Sequence, residues 1–302
     1  MTTPYPTERI VGALAQRRDT DAARLLSQMN RCETDEWRGH FTCRTAACTR
    51  CRGRYIGNQC RRAVKRFASV QRADLSMLSV VIAASSDVED IGSIFGKFRK
   101  DLRNAVDGRR RDDRRWQTFQ SLLWLETDAV SADDFVNLGT DKKEQLGEMA
   151  PFFIGQDGPV WVVTTHGVAS HPGIDHQEVR RVLAHRWQGH NQVHVAPFFE
   201  DADKDVSLRR IINYSLKGEC RSYVGGAETP WPPSWAATYY AYLNGWSRSF
   251  QSHRISISPM GVKKNLPVQP YGRDTVETFD ESDESYPMPF LYDNSILPTY
   301  YN

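Results

Sequence analysis

Four short apolar runs between residues 75 and 199 constrain the fold of this chain more than any other feature of the sequence. Each has the length and composition of a buried strand. The runs are Leu75–Ala84, Trp116–Thr127, Pro159–Ala169 and Gln192–Phe199. Apolar residues at helical spacing follow the first run over Asp87–Val106 and the third run over Asp175–Trp187. The order β-α-β-β-α-β predicts an α+β domain of the ferredoxin-like kind, an antiparallel sheet with helices on one face.

The flanking residues predict where these elements begin and end. Ser85 and Ser86 are expected to cap the first helix, because a serine hydroxyl can accept a hydrogen bond from a backbone N–H of the first turn. The charged run GRRRDDRR at 108–115 is expected to break the helical pattern. The acidic segment 128–157 is expected to be a loop with room for a short helix, and a further helix is predicted over Val206–Lys217.

Composition divides the chain into four parts. Residues 1–72 hold a helical lead-in and a cysteine-rich basic segment, 73–225 the predicted sheet, 226–272 many aromatic residues, and 273–302 an acidic tail. Four residues of the third part recur at helical spacing, which favours packing on the sheet over stacking on nucleic-acid bases. These residues are Trp235, Tyr239, Tyr242 and Leu243. The apolar end of the tail is expected to dock on its own domain or on a second copy, so a homodimer is one expected assembly.

Charge is unevenly distributed along the chain. The whole sequence has 39 basic and 37 acidic residues, a net charge of +2. Residues 1–120 carry 24 basic and 14 acidic residues, and residues 121–302 carry 15 and 23. Ten Lys or Arg and no Asp or Glu fall from Arg38 to Arg72. The near-neutral total therefore does not exclude a nucleic-acid partner.

The sequence favours a cytoplasmic protein with no membrane partner. No apolar run reaches the roughly 18 residues that span a bilayer. The start, MTTPYPTERI, lacks the basic and then apolar pattern of a signal peptide. Six cysteines are too few for a disulfide framework, and crowded cysteines in a reducing compartment favour a metal site.

Three cysteines fall within nine positions, from 43 to 51, and a fourth lies eleven residues upstream. Such spacing lets one small knuckle supply the four tetrahedral ligands that zinc prefers, and four protein ligands make the site structural. The predicted ligands are Cys32, Cys43, Cys48 and Cys51. His40 or Cys60 is an alternative to the first of them. The other interpretation is a set of thiols without metal, since cysteine often serves as a small core residue.

Basic residues surround the predicted knuckle and continue along a helix-like segment after it. They are Arg44, Arg50, Arg52, Arg54, Arg61, Arg62, Lys65 and Arg66. A charged helix of this kind can follow the phosphates of DNA. An ordinary solvated surface mixes both signs of charge, so the absence of acidic residues favours a DNA-binding segment.

Two further features carry chemistry. His166 lies in the middle of the third predicted strand, where period 2 puts Thr164 on the same face. Tyr214 and Lys217 are three residues apart on the last predicted helix, so hydroxyl and ammonium lie side by side. A tyrosine is a weak nucleophile near its free pKa of about 10. A neighbouring ammonium and a metal ion that polarises a phosphate would make attack feasible.

In this order, these features resemble the HUH endonuclease superfamily, in particular the replication initiators (Rep proteins) of rolling-circle plasmids and phages. The resemblance runs from about Cys32 to Lys217 and rests on four matches. They are the segment TCRTAACTRCRGRYIGNQCRR, the strand LSMLSVVIAA, the strand ending in Glu126 followed by the strand with His166, and Tyr214-x-x-Lys217. The resemblance makes 73–225 an HUH-like nuclease domain.

The resemblance implies an enzyme that cuts one strand of origin DNA, single-stranded or in a hairpin. Tyr214 would stay attached to the 5′ phosphate, and the free 3′ hydroxyl would prime replication. Lys217 would stabilise the phosphate or help to activate the tyrosine. A Mg²⁺ or Mn²⁺ ion would be held by His166, Glu126 and Thr164.

The sequence departs from the family pattern at one position. The family has His-x-His where this chain has Thr164-Thr165-His166, so the first histidine is absent. His171 is a possible replacement, and His194 is expected to face a packed layer. The departure supports an alternative function, an HUH-derived DNA-binding regulator or hairpin-binding factor without catalysis. An RNA-binding protein ranks last, because no RNP1-like segment is present.

Overall fold

The computed structural model describes residues 7–34, 43–150, 158–198, 202–216, 221–224, 227–246 and 253–261. The strands are β1 (Leu75–Ser85), β2 (Gln120–Val130), β3 (Val160–Ser170), β4 (Val193–Pro197), β5 (Arg221–Val224), β6 (Ala227–Pro230) and β7 (Arg254–Ile257). The helices are α1 (Thr7–Ala15), α2 (Thr20–Thr34), α3 (Thr49–Arg66), α4 (Asp90–Asp112), α5 (Ala132–Phe135), α6 (Thr140–Met149), α7 (His176–Ala184), α8 (Lys204–Ser215) and α9 (Pro233–Trp246). Across the described helices, none has the length and apolar character needed to cross a membrane.

Five strands form an antiparallel sheet in the order β4-β1-β3-β2-β7. The predicted α+β class and the order β-α-β-β-α-β are confirmed, with α5 and α6 inserted between β2 and β3. Every residue of the central strand β3 is buried. Strands β5 and β6 form a separate hairpin. The sequence prediction missed β7, although its buried Ile255 and Ile257 alternate with Arg254 and Ser256 at the period of a strand.

Helices lie on both faces of the sheet, so the prediction of helices on one face is wrong. On one face, Leu123 of β2 belongs to a core cluster with Phe95 of α4. On the other face, Trp124 of β2 packs in a cluster with Phe67, which follows α3, and Ile212 of α8. Consecutive side chains of a strand point to opposite faces, and both sets are apolar here, so each face needs a cover.

Two predicted boundaries also differ from the structure. The second strand starts at Gln120, because Trp116 lies in a 3-10 helix over Arg114–Thr118 and stacks on Phe119 at 5.1 Å. Helix α4 continues to Asp112, into the charged run that was expected to break it. The helix continues because the Arg110 guanidinium is bound by the chain that follows: it donates to the carbonyls of Trp116 and Phe119 at 3.3 and 2.9 Å.

The predicted serine cap of α4 is not formed. The N-cap residue is Glu89, and its side chain makes no capping bond. The hydroxyl of Ser85 instead donates to the Asp90 carboxylate at 2.6 Å and accepts from the Asp87 N–H at 3.1 Å. Ser85 therefore shapes the turn that leads into the helix.

Helix α9 confirms the packing predicted for the aromatic segment. Tyr239 stacks on Trp161 of β3, with ring centroids 6.0 Å apart and an angle of 17°. Its neighbours Ala236, Ala237 and Leu243 are buried in the same cluster. The predicted acidic tail lies outside the described residues.

Candidate functional site

His166 occupies the middle of the sheet, where its two ring nitrogens contact two neighbouring strands. Its Nε2 lies 2.8 Å from Oε2 of Glu126 on β2, and its Nδ1 lies 2.8 Å from Oγ of Ser79 on β1. A carboxylate only accepts, so Nε2–H donates to Glu126, and in the neutral imidazole Nδ1 accepts from the Ser79 hydroxyl. His166 is 5% exposed, and Ser79 is 8% exposed.

Tyr214 reaches this histidine from the helix layer. Its ring meets the His166 ring edge to face, with centroids 5.2 Å apart and an angle of 78°. Helix α8 lies against β3 through the buried residues Leu208, Ile211 and Ile212, and this leaves Tyr214 half-buried at the border of the layer. The structure thus brings together three predicted site residues from three elements. Lys217, the predicted partner of Tyr214, lies outside the described residues.

The polar group lies in a gap between two apolar clusters on one face of β3. Val162 packs in a cluster with Leu146 of α6, and Val168 packs in a cluster with Ile212 of α8. Thr164 and His166 fall between them, because alternate residues of a strand share a face. The sheet therefore carries a polar strip where its helical cover changes.

Thr164 does not complete a metal site with His166 and Glu126. It is paired with Glu126 across the strands, and its hydroxyl donates to the Glu126 backbone carbonyl at 3.3 Å. Within the described part of the chain, no third His, Cys, Asp or Glu donor joins these two in a ligand group. The residues present do not fit a Mg²⁺ or Mn²⁺ site, because these ions take six mostly oxygen ligands in octahedral geometry, whereas Nε2 of His166 and Oε2 of Glu126 bond to each other at 2.8 Å.

The other histidines do not replace the missing ligand. His171 is bound elsewhere, with Nε2 2.8 Å from the Ser76 hydroxyl and Nδ1 2.7 Å from the Ile174 carbonyl. His194 pairs with Ser79 and so lies on the His166 face, about 10 Å from it because β1 stands between. Burial, followed by the charge of Arg180, lowers the pKa of His194.

Ser79 is the residue that sequence reasoning missed. Two serines interrupt the apolar run LSMLSVVIAA at positions that contact histidines: Ser76 contacts His171, just after β3, and Ser79 contacts His166 of β3, each at 2.8 Å. A hydroxyl in an otherwise buried strand needs a partner. The two serines therefore indicated buried hydrogen-bond partners, but the sequence did not show which histidine would bind which serine.

The four predicted zinc ligands form one buried cluster. Their sulfur atoms all lie within 4.8 Å of one another: Cys43 and Cys51 are 3.4 Å apart, Cys32 and Cys51 3.6 Å, and Cys32 and Cys48 3.9 Å. Tetrahedral thiolates around zinc at 2.3 Å lie about 3.8 Å apart. A disulfide would bring two sulfurs to about 2.05 Å. The cluster is thus reduced and has the size of a metal site.

Each thiol of the cluster comes from a different local element. Cys32 lies near the end of α2, Cys43 in the following loop, Cys48 at the N-cap of α3 and Cys51 in its first turns. Hydrogen bonds donated by Cys43 and Cys51 hold the pKa of Cys48 far below its ordinary value. The bond to Cys48 raises the pKa of Cys43. Thiols that share one negative charge in this way are the donor set that a soft divalent cation stabilises.

The alternative ligands do not join this cluster. Cys60 packs in the apolar cluster between α3, α8 and the sheet, where burial raises the pKa of its thiol. His40 lies outside the described residues. The four cysteines of the first prediction are therefore the ones that lie close enough together to hold a metal such as zinc.

Exposed cations form a stripe along α3. Arg50, Arg54, Arg61 and Lys65 are exposed and fall within about 60° of the helix surface over about 22 Å. Arg44 and Arg62 are exposed beside them. As far as the chain is described, no carboxylate lies within 4 Å of the four stripe residues. We call Arg50, Arg54, Arg61 and Lys65 the cation stripe.

Arg52 and Arg66, which were predicted to bind DNA, are structural. Arg52 is 7% exposed and donates to the Tyr240 hydroxyl of α9 at 3.1 Å. Arg66 donates to the Gln120 side chain at 3.0 Å and to the carbonyl of Ile257 on β7. Burial, with the charge of Arg254, lowers the pKa of Arg66 to about 10. Arg52 thus ties the knuckle to α9, and Arg66 ties α3 to the edge of the sheet.

Comparison with known proteins identifies no family for this chain, so the assignment of a function depends on its own residues. No family model, curated protein or solved structure matches this chain. The functional conclusion therefore depends on the His166–Glu126–Tyr214 group, the four cysteines and the cation stripe.

Proposed function

We propose that this protein nicks and joins single-stranded DNA in the manner of a rolling-circle initiator, with Tyr214 as the nucleophile. The supporting observation is that Tyr214 packs on His166, which is hydrogen-bonded to Glu126 at the centre of an antiparallel sheet. These three residues are far apart in sequence, so chance local composition does not explain their meeting. The resemblance to HUH proteins assigned a role to each of them.

The reaction is a transesterification. The Tyr214 hydroxyl oxygen forms a bond to phosphorus while the phosphorus–O3′ bond breaks, which gives a 5′-phosphotyrosine and a free 3′ end. One proton leaves the phenol and one is taken up by the departing oxygen, so no further reactant is consumed. Joining is the reverse step. A covalent intermediate of this kind keeps the phosphodiester energy for the second step.

Cations of α8 supply charge for the phosphate. Arg210 is half-buried and lies four residues before Tyr214, one turn away on the same side of the helix. Lys217 would lie three residues after it. A guanidinium beside the tyrosine matches a phosphodiester in charge and in hydrogen-bond donors.

The cation stripe is the proposed path of the DNA strand. Helix α3 packs against α8, and Arg209 of α8 is close enough to Cys60 to influence its pKa together with Arg61. The proposed path runs from the stripe past the exposed Arg209 of α8 to Tyr214. Phosphate contacts of this kind release counterions, so binding should weaken as salt rises.

We infer that the metal in the four-cysteine cluster is zinc and that its role is structural. Four thiolates complete the tetrahedral shell and leave no position for a reactant. The ion would join the end of α2 to the start of α3. It would thereby fix the first turn of α3, which carries Arg50, the first residue of the cation stripe. Arg52 extends the same unit to α9.

The test is covalent capture of DNA. The probe is a pool of single-stranded oligonucleotides with a randomised core and a labelled 3′ end, incubated with zinc-loaded protein with and without Mn²⁺. We expect a labelled adduct that survives denaturing electrophoresis and is absent from Tyr214→Phe. The matched control is Tyr242→Phe, which removes a hydroxyl from α9 and should retain the adduct. An adduct that persists in Tyr214→Phe would exclude this nucleophile.

A second candidate function is DNA binding without cutting. It is favoured by the lack, among the described residues, of a third His, Cys, Asp or Glu donor beside His166 and Glu126. Salt-dependent binding of hairpin or duplex DNA, with no adduct under either metal condition, would establish this function instead.

A further inference from the structure

The hydrogen bonds of His166 leave neither ring nitrogen available to a metal ion. A neutral imidazole has one N–H and one lone pair. Nε2–H is used by Glu126 and the lone pair of Nδ1 is used by Ser79, each at 2.8 Å. The side chain of His166 is 7% exposed, so water does not readily replace a lost partner. An ion bound to either nitrogen would leave a buried polar group unpaired, which is unfavourable.

Metal-binding histidines usually ligate through one nitrogen and donate the other N–H to a carboxylate. In that scheme Glu126 would be the outer partner and Nδ1 the ligating atom. The atom facing Nδ1 is the Ser79 hydroxyl oxygen, which lies on the adjacent strand β1 and is paired in register with His166. The group is therefore built as a hydrogen-bonded chain, Ser79–His166–Glu126, and not as one half of a metal site.

This chain fixes the imidazole ring that Tyr214 packs against. Two bonds on opposite sides of the ring set its tautomer and its rotation. The edge-to-face contact with Tyr214 transmits that orientation to the phenol. A displacement of about 1 Å in a reacting group can cost on the order of a hundredfold in rate.

We propose that Tyr214 reacts without a divalent ion, and that Ser79 is a positioning residue that holds His166, and through it the tyrosine, in place. The inference rests on the proposed nicking function. The negative charge of the phosphate is met by the cations of α8, and the proton balance is that of the transesterification described above. Ser79 touches neither DNA nor the reacting atoms.

The first experiment measures the metal requirement. Zinc-loaded protein in buffer freed of other divalent ions is incubated with the labelled oligonucleotide pool, and a parallel sample receives Mn²⁺. Mn²⁺ binding is followed separately by electron paramagnetic resonance in the wild type and in His166→Ala. The variant is needed because the exposed group of Asp141, Glu144 and His190 can also attract the ion. We expect equal adduct formation in both samples and no Mn²⁺ site that depends on His166.

The second experiment tests Ser79 against a matched serine of the same strand. Ser79→Ala should slow adduct formation about tenfold while leaving DNA affinity unchanged, because it acts on orientation and not on binding. Ser76→Ala removes an equivalent bond to His171 and should leave the rate within about twofold. Nitrogen NMR of the His166 ring should report a changed tautomer population in Ser79→Ala alone.

The outcomes separate the two proposals. An adduct that forms only with Mn²⁺, or a Mn²⁺ site lost in His166→Ala, overturns metal independence and leaves nicking intact. Equal rates in Ser79→Ala and Ser76→Ala overturn the positioning role. No adduct in either sample overturns both the nicking function and the inference built on it.

Discussion

The cysteine knuckle and the His166 site both gather titratable side chains inside the protein, but they are built on different scales. Three of the four knuckle ligands lie within nine residues, and the fourth lies in the last turn of the preceding helix. The His166 site draws Ser79, Glu126, His166 and Tyr214 from three strands and a helix. The knuckle is therefore a product of local spacing, whereas the His166 site is a product of strand register.

This difference extends to what each region can do. All four thiols of the knuckle are buried in one cluster, as expected of a closed structural site. At the His166 site, Tyr214 is half-buried and the Glu126 side chain is 19% exposed. A closed site stabilises the fold, while a partly open one can meet a substrate. The following predictions test this division, from the largest expected effect to the smallest.

Loss of the knuckle should have the largest effect on stability. Cys48→Ser should abolish zinc binding and lower the free energy of unfolding by several kcal/mol, about 4 or more, because a structural metal contributes folding energy directly. Zinc content by mass spectrometry and denaturant unfolding measure the two quantities. Cys60→Ala, outside the cluster, should keep one zinc per chain and cost about 1 kcal/mol. Full zinc content in Cys48→Ser would show that the knuckle is not the metal site.

Removal of the sheet histidines should separate structure from chemistry. His166→Ala and His171→Ala each break two buried hydrogen bonds and should each cost about 2–4 kcal/mol in unfolding experiments. Only His166→Ala should also reduce formation of the DNA adduct at temperatures where both variants are folded. Equal losses of adduct would mean that the site responds to general destabilisation.

Acid should weaken the sheet domain through a neutral buried histidine. Burial, with the charge of Arg99, lowers the pKa of His253 to about 4, and its ring stacks on Trp246 at 5.5 Å. Below an unfolded pKa of about 6.5 the unfolded state binds a proton that the folded state does not, so stability falls as pH falls. Between pH 7 and 5 the loss should be about 2 kcal/mol.

His253→Phe provides the control, because a phenyl ring can keep the stacking on Trp246 but does not titrate. Unfolding in denaturant at several pH values should give a flatter profile for this variant. An identical slope in the two proteins would assign the acid sensitivity to other groups.

The smallest effect is expected from the cation stripe. The double change Arg54→Ala with Arg61→Ala should weaken binding of single-stranded DNA about tenfold and reduce the salt slope by about 2, one unit for each lost phosphate contact. Arg18 and Arg114 are exposed cations outside the stripe, and their double alanine variant should bind as the wild type does. Fluorescence anisotropy at several salt concentrations measures both quantities. Equal weakening by both pairs would indicate only a general charge effect.

The sequence held part of the information on which cations of α3 are exposed, but the prediction treated all of them alike. Arg52 and Arg66 look like the other cations of the segment, yet the helical period places Arg52 away from the stripe, on the buried side of α3. Arg66 could not be assigned in this way, because its partners Gln120 and Ile257 are remote in sequence. Likewise, a continuous apolar run is typical of a strand that is covered on both faces. The expectation of helices on one face overlooked this.

By itself, the sequence determined the order of strands and helices, the four clustered cysteines and the identity of the residues that could carry chemistry. These follow from periodicity and spacing, which act over a few residues. Only the tertiary structure decided that Ser79 and Glu126 occupy the two nitrogens of His166, that Tyr214 lies on its ring, and that Thr164 turns to the backbone. The physical reason is register: a shift of one residue between two strands moves every side chain to the opposite face, and no local pattern fixes that choice.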